Sequence, residues 1–209
     1  MPLPTFNTQS PPPPSKSAGR ARSCRRAWLG ALACALTVLL APASSPAADS
    51  GAALEYKVKA GYLFNFAQFI EWPAAAVPAT NSPIVIGVLD DNEALPAIRQ
   101  VLKDKFVGNH PIEVRSVVSA ASANDCHLLF VTRAANKAPD ELRDSLRSAA
   151  TLLVGETDQF AERGGMIAFV REEESVRINL NLEAATQAGL KVSAKLSSVA
   201  RLVKTKHTK

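Results

Sequence analysis

Residues 160–203, FAERGGMIAFVREEESVRINLNLEAATQAGLKVSAKLSSVARLV, decide how this chain is read. Gly164-Gly165 close a helical turn at Asp158 to Arg163, and both glycines are expected to supply the positive φ needed before the chain extends. Met166 to Val170 and Val176 to Leu182 then read as two strands. The acidic segment Arg171 to Ser175 joins them and has the length of a hairpin connection. In the second strand Val176, Ile178, Leu180 and Leu182 alternate with Arg177, Asn179 and Asn181. A period of two places the first set on the core and the second set outward. Ala184 to Ala188, stopped by Gly189, reads as a short helix. Ala194 to Val203 reads as a last helix with Leu196, Val199, Ala200 and Val203 facing inward. No catalytic group stands out in this stretch, which points to a protein that binds or regulates.

Working toward the N-terminus, the elements alternate. Thr151 to Val154, His127 to Thr132, Ile112 to Val118 and Ile84 to Leu89 are short apolar or alternating runs with the character of strands. Between them, Pro139 to Ala149 and Asn92 to Phe106 carry helical spacing, the latter with Leu95, Ile98, Val101 and Leu102 on one side. Strand–helix alternation with buried strands predicts an α/β single-domain sandwich. Its sheet is largely parallel with helices on both faces, and the C-terminal hairpin is antiparallel. Leu54 to Trp72, stopped by Pro73, reads as a further helix. Its polar positions Lys57, Gly61, Asn65 and Gln68 trace one narrow stripe. Six of the chain's twelve aromatic residues fall between Tyr56 and Trp72. Each buried side chain of this size contributes roughly 1.5–3 kcal/mol, so the helix must pack on more than one side. Part of that apolar surplus is available to a partner or to a second copy, and a homodimer is one way to cover it.

The first 48 residues differ in kind. A proline run at Pro11 to Pro14 precedes Arg20, Arg22, Arg25 and Arg26, and no acid occurs before Asp49. An apolar run from Ala27 to Ala41 follows, too short to span a bilayer as a helix. Small residues at Ala41-Pro42-Ala43 and Ser45-Pro46-Ala47 offer cleavage after Ala43 or Ala47. Residues 1–48 therefore read as a secretory signal peptide with a proline-rich, basic extension, by the general or the twin-arginine route (Arg25-Arg26). Residues 49–204 form one domain, residues 205–209 a basic tail, and the protein is expected to be periplasmic without a membrane anchor of its own after processing.

Removing the leader changes the electrostatics. Five of the 24 basic residues lie before residue 49, leaving 19 to balance all 19 acids. The net charge of +5 belongs to the leader, so no nucleic-acid partner is indicated. Cys24 and Cys34 leave with it, and Cys126 is the one thiol of the mature chain, next to a strand and expected to be buried and inert.

Enzyme signatures are missing from the sequence. His110, His127 and His207 are scattered, and there is no H-E-x-x-H, no paired-cysteine motif, no G-x-S-x-G elbow and no phosphate loop. No catalytic residue, metal ligand or cofactor is assigned. Asp90-Asp91-Asn92-Glu93 follows a buried strand and is expected to cap the next helix.

Two sets of residues resemble the YfiR family of bacterial periplasmic proteins. The first is Val58-Lys59-Ala60-Gly61-Tyr62-Leu63-Phe64-Asn65-Phe66 with Phe69-Ile70-Glu71-Trp72-Pro73. The second is Phe160-Ala161, Gly164-Gly165-Met166-Ile167, Ile178-Asn179-Leu180, Ala184-Ala185, Ala188-Gly189-Leu190-Lys191-Val192-Ser193 and Lys195-Leu196. The resemblance covers Leu54 to Val203. It implies a regulator, not an enzyme, that binds the periplasmic sensor region of a membrane-bound diguanylate cyclase and holds its GGDEF output low. The best-known members of the family carry cysteine pairs within the domain, and this chain departs from them because Cys126 has no partner in the mature protein. If the resemblance holds, contacts should come from exposed positions of these blocks: Glu162 and Arg163 beside the glycines, and Arg177, Asn179 and Asn181 on the outward strand face. A small-molecule sensor with a cleft at the sheet edge is the alternative reading.

Overall fold

The computed structural model describes residues 51–76, 79–91, 93–146, 150–173 and 175–206. Residues 1–48, expected to be a leader with a signal peptide, and His207 in the tail lie outside them.

Five short apolar segments form the parallel centre of an eight-stranded sheet. They are β2 (Ile84–Leu89), β4 (His110–Val117), β5 (Leu128–Val131), β6 (Leu152–Gly155) and β7 (Ile167–Glu172). The sheet is completed by β8 (Ser175–Leu180), antiparallel to β7, and by short edge strands β3 (Phe106–Val107) and β10 (Arg201–Leu202). The spatial order is β10-β8-β7-β6-β5-β2-β4-β3. Every residue of β2, β5 and β6 is buried, which explains why these strands read as continuous apolar runs.

Alternate side chains feed two cores. Ile86, Val88, Phe130, Val154, Ile167 and Leu180 pack on one face with α1 (Gly51–Phe69) and α2 (Ala94–Leu102). Val85, Leu89, Leu129, Leu153 and Ala168 pack on the other, with α3 (Pro139–Ser145), the 3₁₀ turn Ala120–Ala123 and Phe160. The predicted sandwich, with helices on both faces of a largely parallel sheet and an antiparallel hairpin, is what the chain forms.

The C-terminal block departs from its reading in four places. The second hairpin strand ends at Leu180, and Asn181 is the N-cap of α4 (Leu182–Gln187), its Oδ1 accepting from Ala184 N at 3.0 Å. The last helix, α5 (Ala194–Val199), is shorter than expected. Ala200 leaves helical geometry and Arg201–Leu202 join the sheet parallel to β8, so Val199 is exposed rather than inward. Lys191–Val192 form β9, which pairs antiparallel with β1 (Ile70–Glu71) at the end of α1.

The fourth departure concerns the glycine pair. Gly164 has φ +97°, as its role in the turn requires, whereas Gly165 is there for space. A Cβ on Gly165 would lie 2.3 Å from the Phe160 ring.

Candidate functional site

In chain order the five parallel strands lie second-first-third-fourth-fifth across the sheet. The winding direction therefore reverses between β2 and β5, where α2 covers one face and the 3₁₀ turn and α3 the other. In sheets of this kind the crevice at the carboxyl ends of the strands, beside the reversal, is where ligands bind. Here the N-terminal half of α1 crosses that edge. Asp91 follows β2, Arg133 follows β5, Glu156 follows β6, and Arg171 is near the end of β7.

Asp91 acts as the sequence indicated. Its Oδ1 accepts from Glu93 N and Ala94 N, both at 2.8 Å, capping α2, and its Oδ2 accepts from Tyr56 Oη at 3.2 Å. Burial, then the Glu156 and Asp91 charges, push the Tyr56 phenol well above its ordinary range, so it remains a donor at any physiological pH.

Lys59 lies off the polar stripe of α1, among Ala60, Leu63 and Phe66, and is buried. Its Nζ donates to Glu156 Oε1 at 2.7 Å and to Glu55 Oε1 at 2.5 Å. Glu156, whose side chain is 4% exposed, also accepts from Arg133 N at 2.8 Å through Oε2. The Arg133 guanidinium reaches the Glu156 carbonyl at 3.2 Å, and Arg171 approaches Glu55 at 3.6 Å. The hydrogen bond from Lys59, with the positive charges of Lys59, Arg171 and Arg133, outweighs burial and holds the Glu55 carboxyl below its usual range. Together these groups line a cleft of about 230 Å³.

The residues singled out from the hairpin and its turn are elsewhere and do not form one site. Arg163 and Arg177 are exposed, Arg177 lying 3.3 Å from Glu172. Glu162 is half-buried and accepts from Lys206 Nζ at 2.6 Å, while Lys206 N bonds the Glu162 carbonyl, so the tail is tied to this turn as far as Lys206. Asn179 and Asn181 are corrected: both are buried and neither faces solvent. Asn181 Nδ2 donates to Ala161 O and Thr205 Oγ1, joining the turn, the hairpin and the tail. Asn179 Oδ1 has no hydrogen-bond partner among the described residues.

A second surface feature lies on α1. Leu54 and Val58, one turn apart, are exposed, as is Phe106 on the edge strand. Between α1 and α2 runs an open groove lined by Val58, Gly61, Tyr62, Phe64 and Val101, with Lys105 over the Phe64 ring.

At the opposite, amino edge of the sheet, His127 Nδ1 accepts from Val85 N at 3.1 Å, so the ring is held neutral with its proton on Nε2. Burial, and then His110, lower its pKa. In the unfolded chain the ring takes up a proton at higher pH. The stability this ring contributes is therefore complete above about pH 6.5 and is lost as the pH falls through that value toward the folded pKa. The urea midpoint is expected to be lower at pH 5 than at pH 7.5. His127→Asn, which keeps an acceptor for Val85 N, should reduce that difference; an unchanged pH dependence would remove His127 from the account.

Cys126 is buried, and burial pushes its thiol up to about 11, so it is not a thiolate nucleophile at neutral pH. Among the described residues no group of three or more His, Cys, Asp or Glu is placed to hold a metal ion. No helix among them is long and apolar enough to cross a membrane.

Comparison with known proteins places this architecture. No curated protein sequence matches the chain. Among solved structures, a conserved domain protein from Vibrio cholerae O1 biovar eltor is similar, with 11% identity and a TM-score of 0.47. The match covers 71% of this chain and 60% of that one. A family model described as YfiR/HmsC-like matches residues 56–201, from the cleft-facing turn of α1 to the last edge strand. The chain belongs to the YfiR/HmsC-like family.

Proposed function

We propose that this protein is a periplasmic regulatory binding protein that restrains an inner-membrane GGDEF diguanylate cyclase through its periplasmic sensor region, lowering cyclic-di-GMP. Family membership over residues 56–201 is the observation that carries this reading, because the YfiR-like family is one of periplasmic regulators of diguanylate cyclases. Cleavage of the leader would deliver the domain to that compartment.

The surface is consistent with a protein partner. Exposed Val58 lines the groove, with exposed Leu54 one turn earlier on α1 and exposed Phe106 next in the chain to Lys105, and apolar surface of this kind is what the core of a protein interface uses. Gly61 sits mid-helix at the groove, where an added Cβ would meet nothing within 4 Å. Glycine there costs about 1 kcal/mol of helix stability relative to alanine, and the fold itself has no need of it. A partner side chain packed against the bare backbone would. The exposed charges Arg163 and Arg177, with half-buried Glu162, are the other contact candidates.

Deleting the gene should raise cyclic-di-GMP when the cognate cyclase is expressed and leave it unchanged when the cyclase is absent. Restoring the gene with Gly61→Arg, which fills the groove without entering the core, should fail to restore restraint at normal protein levels. Arg163→Glu with Arg177→Glu tests the charged surface in the same background. An unchanged cyclic-di-GMP level on deletion, with the cyclase present, would overturn the proposal.

A further inference from the structure

We propose that the cleft at the carboxyl edge of the sheet binds a small monocarboxylate, its carboxyl group held between the guanidinium groups of Arg133 and Arg171. This inference does not rest on cyclase control. It begins from position: α1 and the segments after β5 and β6, together with β7, converge at the carboxyl edge of the sheet on the β5 side of the reversal, and that edge is where open α/β sheets hold ligands.

The charges at the site are unequally satisfied. The acids at its base are engaged, Glu156 by Lys59 and by Arg133 N, and Glu55 by Lys59 with Arg171 nearby. The cations at its mouth are not. Among the described residues the Arg133 guanidinium makes one bond, at 3.2 Å to a carbonyl, and the Arg171 side chain is 69% exposed with its nearest acid at 3.6 Å. Each guanidinium presents five donors in a planar fork that matches a carboxylate. Most of that capacity faces the opening.

Charge also limits the ligand. Lys59, Arg133 and Arg171 stand against Glu55 and Glu156, a lining with one excess positive charge. One carboxylate neutralises it, whereas a phosphate dianion would bring a second negative charge up to Glu55. A volume of about 230 Å³ corresponds to roughly eight waters at ~30 Å³ each. That room suits a body of a few carbon atoms, for which Ala52, Val170 and Val176 supply an apolar wall. A ligand held there would tie α1 to the β7–β8 hairpin. Lys59 on that helix is one residue from Val58 and two from Gly61 in the groove, so occupancy would bear on the face offered to a protein partner.

The test uses the exported, processed protein with acetate, butyrate and hexanoate, and with inorganic phosphate and chloride at matched ionic strength. Calorimetric titration and thermal melting are the readouts. At least one monocarboxylate should bind saturably and raise the melting temperature, and Arg133→Gln with Arg171→Gln should weaken it at least tenfold. Both side chains lie at the surface, so circular dichroism of that variant should match the parent. Lys191→Gln, on β9, should leave binding unchanged. The assignment is overturned if no carboxylate binds saturably, if phosphate binds more tightly than every carboxylate, or if binding survives in the double variant. Because the readout is direct binding, a negative cyclase experiment leaves it intact.

Discussion

Phe160→Ala is expected to lower the stability of the domain by about 3–5 kcal/mol, the usual loss for deleting a fully buried phenylalanine. The ring is 1% exposed and is held in the core of the second sheet face by two glycines. A Cβ on Gly155, at the end of β6, would lie 2.3 Å from the ring, and one on Gly165, after the turn, the same distance away. The turn is thus pinned from inside, with Gly165 N donating to the Phe160 carbonyl at 2.9 Å. Gly155→Ala should cost about 1–3 kcal/mol through overpacking. The three nearest atoms to that added Cβ all belong to the Phe160 ring, so in a Phe160→Ala background the same change should cost little. Urea denaturation of the two single variants and the double variant measures this. Strict additivity would show that the ring and Gly155 are not in the contact described.

Much of this fold was legible in the sequence because it depends on periodicity. β2, β5 and β6 are buried on both sides and read as unbroken apolar runs, and the hairpin announces itself through alternation around an acidic loop. The strands that escaped, β1, β3, β9 and β10, are two residues long and carry no period to detect, and Phe106 of β3 reads in the sequence as the end of a helix. Alternation also misled in one respect. It correctly set Asn179 opposite Ile178 and Leu180, but that face meets solvent at Arg177 and is buried at Asn179. Asn181, just beyond the strand, is buried where it bonds to the turn before the hairpin and to the C-terminal tail. A local pattern cannot report what a distant segment covers. The family resemblance suffered from the same limit, since its blocks are rich in residues that build the turn, the cap and the core.

The cleft was harder to read, and yet one signal was present. Lys59 falls off the stripe marked by Lys57, Gly61, Asn65 and Gln68, so a helix that buries its other faces must bury this ammonium and supply an acid for it. Nothing in the sequence says that the acid is Glu156, 97 residues away. Its place directly after a buried strand was the available hint. Arg133 and Arg171 gave none, because exposed arginines after strands are ordinary.

The ammonium is also where the second large effect is expected, and the geometry makes it asymmetric. Lys59 stands between two acids. Lys59→Met leaves Glu156 buried with, among the described residues, the Arg133 amide as its one remaining donor and with Glu55 close by, a stranded charge of the kind that costs about 3–5 kcal/mol. Glu156→Gln leaves Lys59 its bond to Glu55, and the amide oxygen still serves as an acceptor, so about 1–3 kcal/mol should be lost. Pairing Lys59→Met with Glu156→Leu removes both buried charges and should recover a large part of the single Lys59→Met loss, since apolar replacement of a buried ion pair is often close to neutral. Chemical denaturation at one pH and one ionic strength ranks the three variants. Equal losses in the two single variants would mean that Glu55 does not share the ammonium. A double variant as unstable as the sum of the singles would mean that the pair is not the unit described. If the ranking holds, Lys59 fixes the floor of the cleft and leaves Arg133 and Arg171 at its mouth as the groups available to something else.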